Sequence, residues 1–533
     1  MLVQLRRKNE SPKVEPNKKG RVLLLTPNLN GMKDGVNRIQ PPLGPMIAAN
    51  VIRNDYGHDV KIHDTALADW NNQRLQQDGR TVVIGQNDAD IARVIGEYQP
   101  DVVGISALFS NLMESAHGIA KIVKEVTPQT KVVLGGNYVS NEIEDVLYAR
   151  GVSGSNMSTK LASLENQHVD YIMRGEVDLA WPMLADAIIN RKDISGIAGL
   201  VMRGEGDDYK INPKPGVVDV KTLPLPARDL ANMEDYFKIG AFHSAKSKSN
   251  RVLSVMASRG CPERCKFCTT PSLWGQEMRW RDMESIVAEL TEGVEVYKIG
   301  EIQMEDDSLT ANITHLRKLC AEFEKLGLPW CTPNGIKANY HQNKDFTPGG
   351  KQLDMFRMMK DSGCYQLSIA CESGVQHVLD NLIDKRLKLE AIKPAIQNAK
   401  DAGMIAHTFW IVGFPGETYE QIEETLKFAE QSGADSYSIA ILNPLPGTPI
   451  YRQVMRENLW WPGRDASQMM FRNSLVQVDG FSGPDEFEKY ITERTMHLNK
   501  TAYDRNPEKH TGRQGLDSAL GKLIDPKAYL HQT

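Results

Sequence analysis

The sequence predicts an α/β protein with a doubly wound parallel sheet, then a partial TIM-like (β/α)6 barrel, and last a small C-terminal extension. Two observations predict this fold. Short apolar runs alternate with amphipathic, helix-like segments over residues 21–195, and a second series of the same kind spans residues 251–455. The chain of 533 residues is also longer than a domain with a single hydrophobic core usually is, which favours several domains.

Composition excludes several classes of protein. Hydrophobic residues make up 41% and charged residues 25% of the chain, which is typical of globular domains and not of disordered, collagen-like or coiled-coil chains. A net charge of -5 gives no global electrostatic reason to expect a nucleic-acid partner. No apolar run is long enough for a membrane span, and the N-terminus lacks the apolar centre of a signal peptide. We therefore expect a cytoplasmic protein that binds neither nucleic acid nor membrane.

The first domain is expected to begin at residue 21, after a flexible basic arm at residues 1–20. A short apolar run without alternation is typical of a parallel strand that is buried on both faces. Strands of this kind are predicted at residues 21–27, 59–64, 101–107, 131–136 and 169–175. Helices are predicted at residues 42–55, 88–98, 115–126 and 179–189.

A ligand of such a sheet lies beyond the carboxyl ends of the strands. The residues expected at that edge are small, polar or rich in glycine, which suits the close approach of a large flat ligand; ordinary βα turns are the alternative. They are Ser106, Leu108, Ser110, Asn111, Gly135, Gly136, Asn137, Gly175 and Glu176. No G-x-G-x-x-G follows the first strand, so a dinucleotide is not favoured.

A proline-punctuated connector is expected at residues 196–250, before the second series. The six barrel strands are predicted at residues 251–258, 301–306, 329–335, 365–373, 406–414 and 436–443. The extension, residues 456–533, is polar, with one predicted helix near residues 487–505.

Three of the seven cysteines are clustered directly after the first barrel strand, as Cys261, Cys265 and Cys268. Three thiolates in a C-x3-C-x2-C spacing can ligate three irons of a [4Fe–4S] cluster, which leaves the fourth iron open. Zinc is the alternative, but a structural zinc usually has four protein ligands and no second Cys or His pair follows here. Cys320, far along the chain on a predicted helix, is a poor fourth ligand.

This spacing, with the aromatic Phe267 just before the last cysteine, resembles the radical S-adenosylmethionine (SAM) superfamily. The resemblance implies that SAM binds the open iron and is cleaved by one electron to methionine and a 5'-deoxyadenosyl radical. In relatives, acidic residues after the second strand and a Glu-Ser-Gly on the fourth help to hold SAM. The SAM-binding residues expected here are Phe267, Glu305, Asp306, Asp307, Glu372 and Ser373, with helix N-capping as the alternative for Asp306 and Ser373.

Period-two alternation supports part of this assignment. On the fourth strand it places Glu372 with the small and polar residues, opposite Leu367 and Cys371. The apolar face should meet the outer helices, so Glu372 should face the barrel lumen. The same alternation places Glu305 and Asp307 together on the lumen face of the second strand.

Further motifs resemble the cobalamin-binding subclass of this superfamily, in which a cobalamin domain precedes the barrel. They lie at residues 41–44 (PPLG), 268–275, 304–308, 332–335, 413–418 and 444–448. The resemblance covers residues 21–455 and includes antibiotic-pathway methylases, among them phosphonate C-methylases of fosfomycin biosynthesis and phosphinate P-methylases. The resemblance implies that residues 21–195 bind cobalamin and that Pro42 and Leu43 contact it. It also implies that a flavodoxin or ferredoxin donates electrons to the enzyme.

The chain departs from one cobalamin pattern, because Asp-x-His-x-x-Gly is absent from residues 1–195. We therefore expect base-off cobalamin with no histidine beneath the cobalt. The loop from Thr65 to Trp70 is the candidate for the lower face, with surface packing as the alternative for Trp70.

The resemblance implies a methyltransferase that acts on an unactivated carbon, or on phosphorus, of a small natural-product intermediate. A non-methylating cobalamin radical SAM enzyme (a cyclase, hydratase or ring-contracting enzyme) and a cobalamin- or metal-dependent sensor are the alternatives. Candidate substrate-binding residues are Trp274, Arg279, Asn334 and Trp410. Core packing is the alternative for the tryptophans, and surface charge at a helix start for Arg279.

Overall fold

The computed structural model describes residues 18–33, 35, 37–152, 157–205, 208–244 and 246–510. Of the predicted arm, only residues 18–20 are described, and residues 511–533 of the extension lie outside the described residues. Among the described helices, none has the length and apolar character that a membrane crossing requires.

The N-terminal part alternates strands and helices, as predicted. Its elements are β1 (Arg21–Thr26), β2 (Leu29–Met32), α1 (Leu43–Asn54), β3 (Asp59–Asp64), α2 (Thr65–Ala68), β4 (Gln73–Leu75), β5 (Thr81–Ile84), α3 (Asp88–Tyr98), β6 (Val102–Ser106), α4 (Met113–Val126), β7 (Lys131–Gly135), α5 (Asn137–Gly151), α6 (Ala162–Glu165), β8 (Tyr171–Met173), α7 (Ala180–Ile189), β9 (Leu200–Arg203), β10 (Tyr209–Ile211) and α8 (Met233–Ile239).

Seven of these strands form one sheet in the order β10-β9-β8-β7-β6-β1-β3. The five strands from β8 to β3 are parallel, and helices cover both faces. In β1, Leu23 and Leu25 belong to one core and Val22 and Leu24 to the other. Burial on both faces explains why the strand is a continuous apolar run.

The first sheet is larger than predicted. β9 and β10 pair antiparallel beyond β8, so residues up to Ile211 that were assigned to the connector belong to this sheet. Strands of four and three residues are too short for an alternating pattern to emerge. The helix α5 was also missed, because its buried face includes the polar residues Asn141, Glu142 and Asp145 and gives no apolar stripe.

The second series has the six predicted strands. Its elements are β11 (Val252–Val255), β12 (Ser258–Arg259), α9 (Thr270–Leu273), β13 (Arg279–Trp280), α10 (Met283–Glu295), β14 (Glu301–Met304), α11 (Ile313–Leu326), β15 (Trp330–Lys337), α12 (Gly350–Asp361), β16 (Cys364–Glu372), a π-helix (Val378–Ile383), α13 (Ile392–Asp401), β17 (Ile405–Val412), α14 (Tyr419–Gln431), β18 (Ser436–Ile441), α15 (Pro449–Glu457) and α16 (Pro484–Arg505).

The six long strands form a parallel sheet in chain order, β11-β14-β15-β16-β17-β18. This is the expected partial barrel, with β11 and β18 at its two edges. The predicted C-terminal helix is α16, whose buried Asn499 hydrogen-bonds the backbone of Tyr437 on β18. The cysteine loop and the acidic residues Glu305, Asp306 and Asp307 lie beyond the carboxyl ends of β11 and β14.

Candidate active site

The three clustered cysteines lie on the loop between β12 and α9, beyond the end of β11. Gly260 begins this loop with φ of 100°, and a Cβ there would lie 2.2 Å from the carbonyl oxygen of Glu277, so only glycine fits. The Lys266 amide donates to the Ile383 carbonyl over 2.8 Å, and the Ile450 amide donates to the Lys266 carbonyl over 3.2 Å. Segments that follow β16 and β18 therefore hold the loop over the barrel mouth.

The chemistry of the three thiols fits an iron–sulfur cluster. Burial raises the pKa of Cys261 to about 11 and of Cys265 to about 12, and it also raises the pKa of Cys268. Neighbouring thiols add to the shift at Cys261 and Cys265. Thiolates that raise one another's pKa are stabilised by nearby positive charge, which iron ions would supply. The Thr270 amide already donates to the Cys268 sulfur over 3.4 Å.

The other four cysteines lie away from this loop, and all four are buried. Cys320, Cys364 and Cys371 belong to the barrel core, and Cys331 accepts a hydrogen bond from the Tyr365 hydroxyl over 3.3 Å. The loop therefore offers three thiols to a cluster.

The neighbouring carboxylates Asp306 and Asp307 have different surroundings. Asp306 is 2% exposed and accepts from the Ala257 amide over 3.1 Å and from the Ser258 hydroxyl over 2.5 Å. Asp306 therefore fastens the end of β11, a contact that differs from the helix N-cap considered as the alternative to SAM binding. Asp307 faces the cysteine loop, where the Thr270 hydroxyl is 3.4 Å from its Oδ1, and burial raises its pKa to about 6.

The two candidate residues at the end of β16 also differ in their surroundings. The buried Ser373 hydroxyl lies 3.0 Å from the Thr425 hydroxyl and accepts from the Val375 amide, so it helps to fix the turn after β16. Glu372 forms a buried ion pair with Lys385, at 2.7 Å between Oε1 and Nζ. Lys385 was not predicted at the site, because it lies on an irregular segment without a periodic pattern.

Glu305 lies at the mouth of the lumen, as the alternation on its strand predicts. Its Oε2 is 2.9 Å from Nδ1 of His243, and its Oε1 has no hydrogen-bond partner among the described residues. The exposed Asn334 donates to the Glu305 carbonyl over 2.6 Å and so lies at the same mouth. His243 was missed, because it falls in a segment assigned to the connector.

Phe267, predicted to contact SAM, packs on Phe414 with ring centroids 6.1 Å apart. It belongs to the residues that border the barrel core. Its ring thus helps to seat the cysteine loop on the segment that follows β17.

The carboxyl edge of the first sheet faces the cysteine loop. Gly136 has φ of 113°, and a Cβ there would lie 2.3 Å from the Ala107 carbonyl oxygen, so the chain passes close to the end of β6. Asn137 donates to the Thr269 hydroxyl over 2.9 Å, one residue after Cys268. Of the other residues predicted at this edge, Ser106 and Gly135 end β6 and β7, Gly175 follows β8, and Leu108 is 51% exposed.

Two residues predicted to bind the ligand of this edge instead hold the C-terminal extension. The Ser110 hydroxyl donates to the Ala466 carbonyl, and the Asn111 amide donates to the Met469 carbonyl over 2.9 Å. The extension therefore covers part of the edge, a contact that no local sequence pattern indicates.

Two buried ion pairs join the domains. Arg279 pairs with Glu176, and Arg259 donates to both oxygens of Asp178 over 2.8 Å. Arg279 and Glu176 were predicted to bind substrate and cofactor, respectively. In the structure these two side chains pair with each other across the domain interface.

The two candidate tryptophans lie outside the lumen. Trp274 stacks under the Arg259 guanidinium, 4.5 Å from the ring centroid, and so belongs to the domain interface. Trp410 is fully buried on the outer face of β17, with its ring 6.1 Å from Phe428 of α14. Alternation along β17 places Trp410 with Thr408 and away from the lumen.

The remaining residues expected to contact cobalamin, including the lower-face candidates Thr65 and Trp70, lie at the same edge of the first sheet. Pro42 and Leu43 begin α1, and the buried Thr65 begins α2 with its hydroxyl donating to the Thr26 carbonyl over 3.0 Å. Trp70 is partly buried and packs against the barrel core. These residues therefore stand where loops of both domains meet.

Two family models match the chain. The radical SAM superfamily matches residues 255–429, and the B12 binding domain matches residues 34–159. These ranges fall on the barrel and on the first sheet, respectively.

Individual proteins match over most of the chain. The cytidylyl-2-hydroxyethylphosphonate methyltransferase of Streptomyces wedmorensis is 31% identical over 515 residues, which cover 91% of each chain. Two solved structures share the fold. The radical SAM methyltransferase TsrM of Kitasatospora setae gives a TM-score of 0.62 at 16% identity, covering 96% of this chain and 90% of that one. The cobalamin-dependent radical enzyme OxsB gives 0.65 at 14% identity, covering 97% and 70%.

Proposed function

The chain belongs to the cobalamin-dependent radical SAM methyltransferases, and we propose that it methylates an unactivated carbon of a small phosphonate-type intermediate. The relative from Streptomyces wedmorensis supports this substrate class, because its name specifies a nucleotide-activated hydroxyethylphosphonate and it matches along 91% of this chain. Phosphinate phosphorus is the neighbouring possibility within the same chemistry.

One observation carries the proposal. Asn137, at the carboxyl edge of the first sheet, hydrogen-bonds Thr269 directly after the third clustered cysteine. The carboxyl edge of the first sheet, where a doubly wound sheet binds its ligand, therefore faces the mouth of the barrel. A substrate between them would be reached from both sides.

The first sheet would hold the corrin at its carboxyl edge, near Gly136 and Trp70, and the three thiols would hold the cluster. A cluster held there would supply the one-electron chemistry that cleaves SAM, and a bound cobalamin would supply the methyl group for transfer. The protein's contribution is to position these groups and to exclude water from the space between them.

The base-off state of the corrin is supported by where the histidines lie. His58 precedes β3, at the amino edge of the sheet, and its two nitrogens face the Gly20 amide and Asp186 over 3.1 Å each. His63 lies 2.7 Å from Gln86 through its Nε2. Neither imidazole presents a free nitrogen in a loop of the carboxyl edge.

For SAM, we favour Asp307, Glu305 and the Glu372–Lys385 pair over Asp306 and Ser373. The first group faces the cysteine loop or the lumen, whereas Asp306 and Ser373 are occupied by backbone and hydroxyl donors. A flavodoxin or ferredoxin would reach the cluster from the outer side of the loop, where Arg264 has 56% of its side chain exposed.

Anaerobic turnover of the cluster- and cobalamin-loaded protein with cytidylyl-2-hydroxyethylphosphonate tests the proposal. We expect a product heavier by one methylene, with S-adenosylhomocysteine and 5'-deoxyadenosine formed in equal amounts, and none of the three from Cys265→Ala. The proposed substrate class would be contradicted if 5'-deoxyadenosine formed without a methylated product both with this phosphonate and with its unactivated form.

A further inference from the structure

A segment of the chain runs inside the barrel. Residues 242–244 and 246–249 pass along β14 from its carboxyl end to its amino end, before β11 begins. The Ser244 amide donates to Gln303 Oε1 over 3.1 Å, and the Ser249 amide donates to Glu301 Oε2 over 3.0 Å. His243 at the upper end meets Glu305. This lumen segment therefore fills the half of the barrel next to β11 and β14.

The opposite half of the lumen is lined by partly exposed side chains. The inward-facing residues Ala370, His407, Phe409 and Ser438 are only partly buried, whereas the outward-facing Thr408 between them is fully buried. Partial exposure of side chains that point into a barrel requires an open space inside it. Among its lining residues, His407 lies 2.8 Å from the Ser436 hydroxyl and 3.2 Å from that of Ser438, so polar groups surround this space.

Lys246 on the lumen segment is the unexplained charge of this space. It is 6% exposed, and its ammonium has no hydrogen-bond partner among the described residues. Burial lowers its pKa to about 8. Burial lowers the pKa of the His407 imidazole, and the nearby charge of Lys246 lowers it further, to about 3.

The charges around Lys246 do not balance it. The carboxylate that attracts it is Asp435, and the groups that repel it are Lys248 and Lys509. Asp435 is already occupied, because it accepts from Lys509 over 3.0 and 3.1 Å and from the Ala406 amide over 2.9 Å. A buried ammonium without a partner is costly, so the site gains most from an anion that enters the lumen.

We propose that Lys246 forms an anion subsite in the barrel lumen, which takes the phosphonate or phosphate group of the substrate. Three ammonium groups against one carboxylate suit a doubly charged oxoanion better than a carboxylate with a single charge. The neutral His407 and the Ser438 hydroxyl add hydrogen-bonding groups without adding charge. This inference deepens the proposed function and rests on it for the identity of the substrate, but not for the binding site itself.

The test is the binding of small anions to the cluster- and cobalamin-loaded protein, measured by titration calorimetry. Methylphosphonate, methyl phosphate and acetate are the probes, and Lys246→Met is compared with Lys248→Met, a change on the exposed end of the same segment. We expect the wild type and Lys248→Met to bind the two phosphorus oxoanions alike, and Lys246→Met to bind at least tenfold more weakly. Tighter binding of methylphosphonate assigns a carbon–phosphorus substrate, and tighter binding of methyl phosphate assigns a phosphate ester.

Thermal unfolding separates a binding role from a structural one. Removal of an unpartnered buried charge should leave Tm unchanged or raised, so lost binding with an unchanged or higher Tm supports the subsite. Unaltered binding in Lys246→Met, a lowered Tm, or acetate binding as tightly as methylphosphonate would overturn it. Methyl transfer is measured separately, so a protein that binds methylphosphonate through Lys246 yet never methylates it would refute the proposed function alone.

Discussion

The Lys385 ammonium and the Glu372 carboxylate form a buried ion pair, 2.7 Å apart, beside the cysteine loop. Both charges act on Cys265. Burial has the largest effect and raises the pKa of this thiol; Lys385 lowers the pKa, and Glu372 raises it further. Glu372 adopts φ of 65°, where the sheet register with β17 shifts. A non-glycine residue in this conformation costs on the order of 1 kcal/mol or more, so the pair helps to fix a strained turn at the cluster.

Loss of Lys385 should therefore destabilise the protein and weaken SAM binding. In Lys385→Met the Glu372 carboxylate stays buried without its partner, and we expect the free energy of unfolding to fall by about 3–5 kcal/mol. Denaturant unfolding and SAM titration of the cluster-loaded protein measure both effects. The exposed Lys388→Met is the matched control, and adding Glu372→Gln to Lys385→Met should recover most of the stability. A double variant no more stable than Lys385→Met would argue against a stabilising pair.

The sequence predicted the parts of the fold that follow from local patterns. All six barrel strands and the parallel strands of the first sheet were identified, because burial on one or both faces leaves a distinct hydrophobic period. The cysteine loop was identified because its chemistry depends on spacing within eight residues. The partners of Glu176 and Ser110 could not be predicted, since Arg279 and Ala466 lie far along the chain and ion pairs leave no periodic trace.

The two neighbouring aspartates provide a test of the SAM site. Burial raises the pKa of Asp307 to about 6, above its ordinary value of 3.8, so the folded protein holds this proton more tightly than the unfolded chain. The stability contributed by Asp307 is therefore present at low pH and is lost as pH rises towards 6. As the proposed acceptor of the SAM amino group, Asp307 must be ionised, so SAM affinity should instead fall as pH drops through about 6.

Asp307→Asn should remove that pH dependence and weaken SAM binding at pH 8 by roughly ten- to hundredfold, for a loss of about 1–3 kcal/mol. Asp306→Asn should leave SAM affinity within about threefold of the wild type, because Asp306 is turned towards Ala257 and Ser258. Calorimetric titrations between pH 5 and 8 check both variants. An Asp306→Asn variant that loses SAM while Asp307→Asn keeps it would reverse the assignment.

The Arg279–Glu176 pair should couple the two domains. A cycle of Arg279→Met, Glu176→Gln and the double variant should give an interaction energy of about 1–3 kcal/mol in domain unfolding, since both side chains are buried. Corrin retention after gel filtration should fall in each single variant, because Glu176 borders the carboxyl edge. Lys221 and Asp282, 3.3 Å apart and more than half exposed, are the control pair and should couple by under about 1 kcal/mol.

Cluster assembly should depend on the loop cysteines alone. After anaerobic reconstitution, Cys265→Ala should lose the iron–sulfur absorption and SAM cleavage, because only two thiols of the loop remain. Cys320→Ala should keep both, since Cys320 is buried in the barrel core on α11. Iron content and absorption spectra of the two variants check this. Loss of the cluster in Cys320→Ala, with its retention in Cys265→Ala, would refute the ligand assignment.

The corrin should bind base-off and independently of the cluster. Both nitrogens of His58 face other groups at the amino edge, and His63 bonds to Gln86 through its Nε2, which favours a corrin without an imidazole ligand. A variant with all three loop cysteines changed to alanine should still retain corrin after gel filtration, because the first sheet has its own two cores. The electron paramagnetic resonance spectrum of bound cob(II)alamin should lack nitrogen splitting in the wild type and in His63→Gln alike. Nitrogen splitting that disappears in His63→Gln would place this histidine beneath the cobalt and contradict the prediction made from the missing Asp-x-His-x-x-Gly.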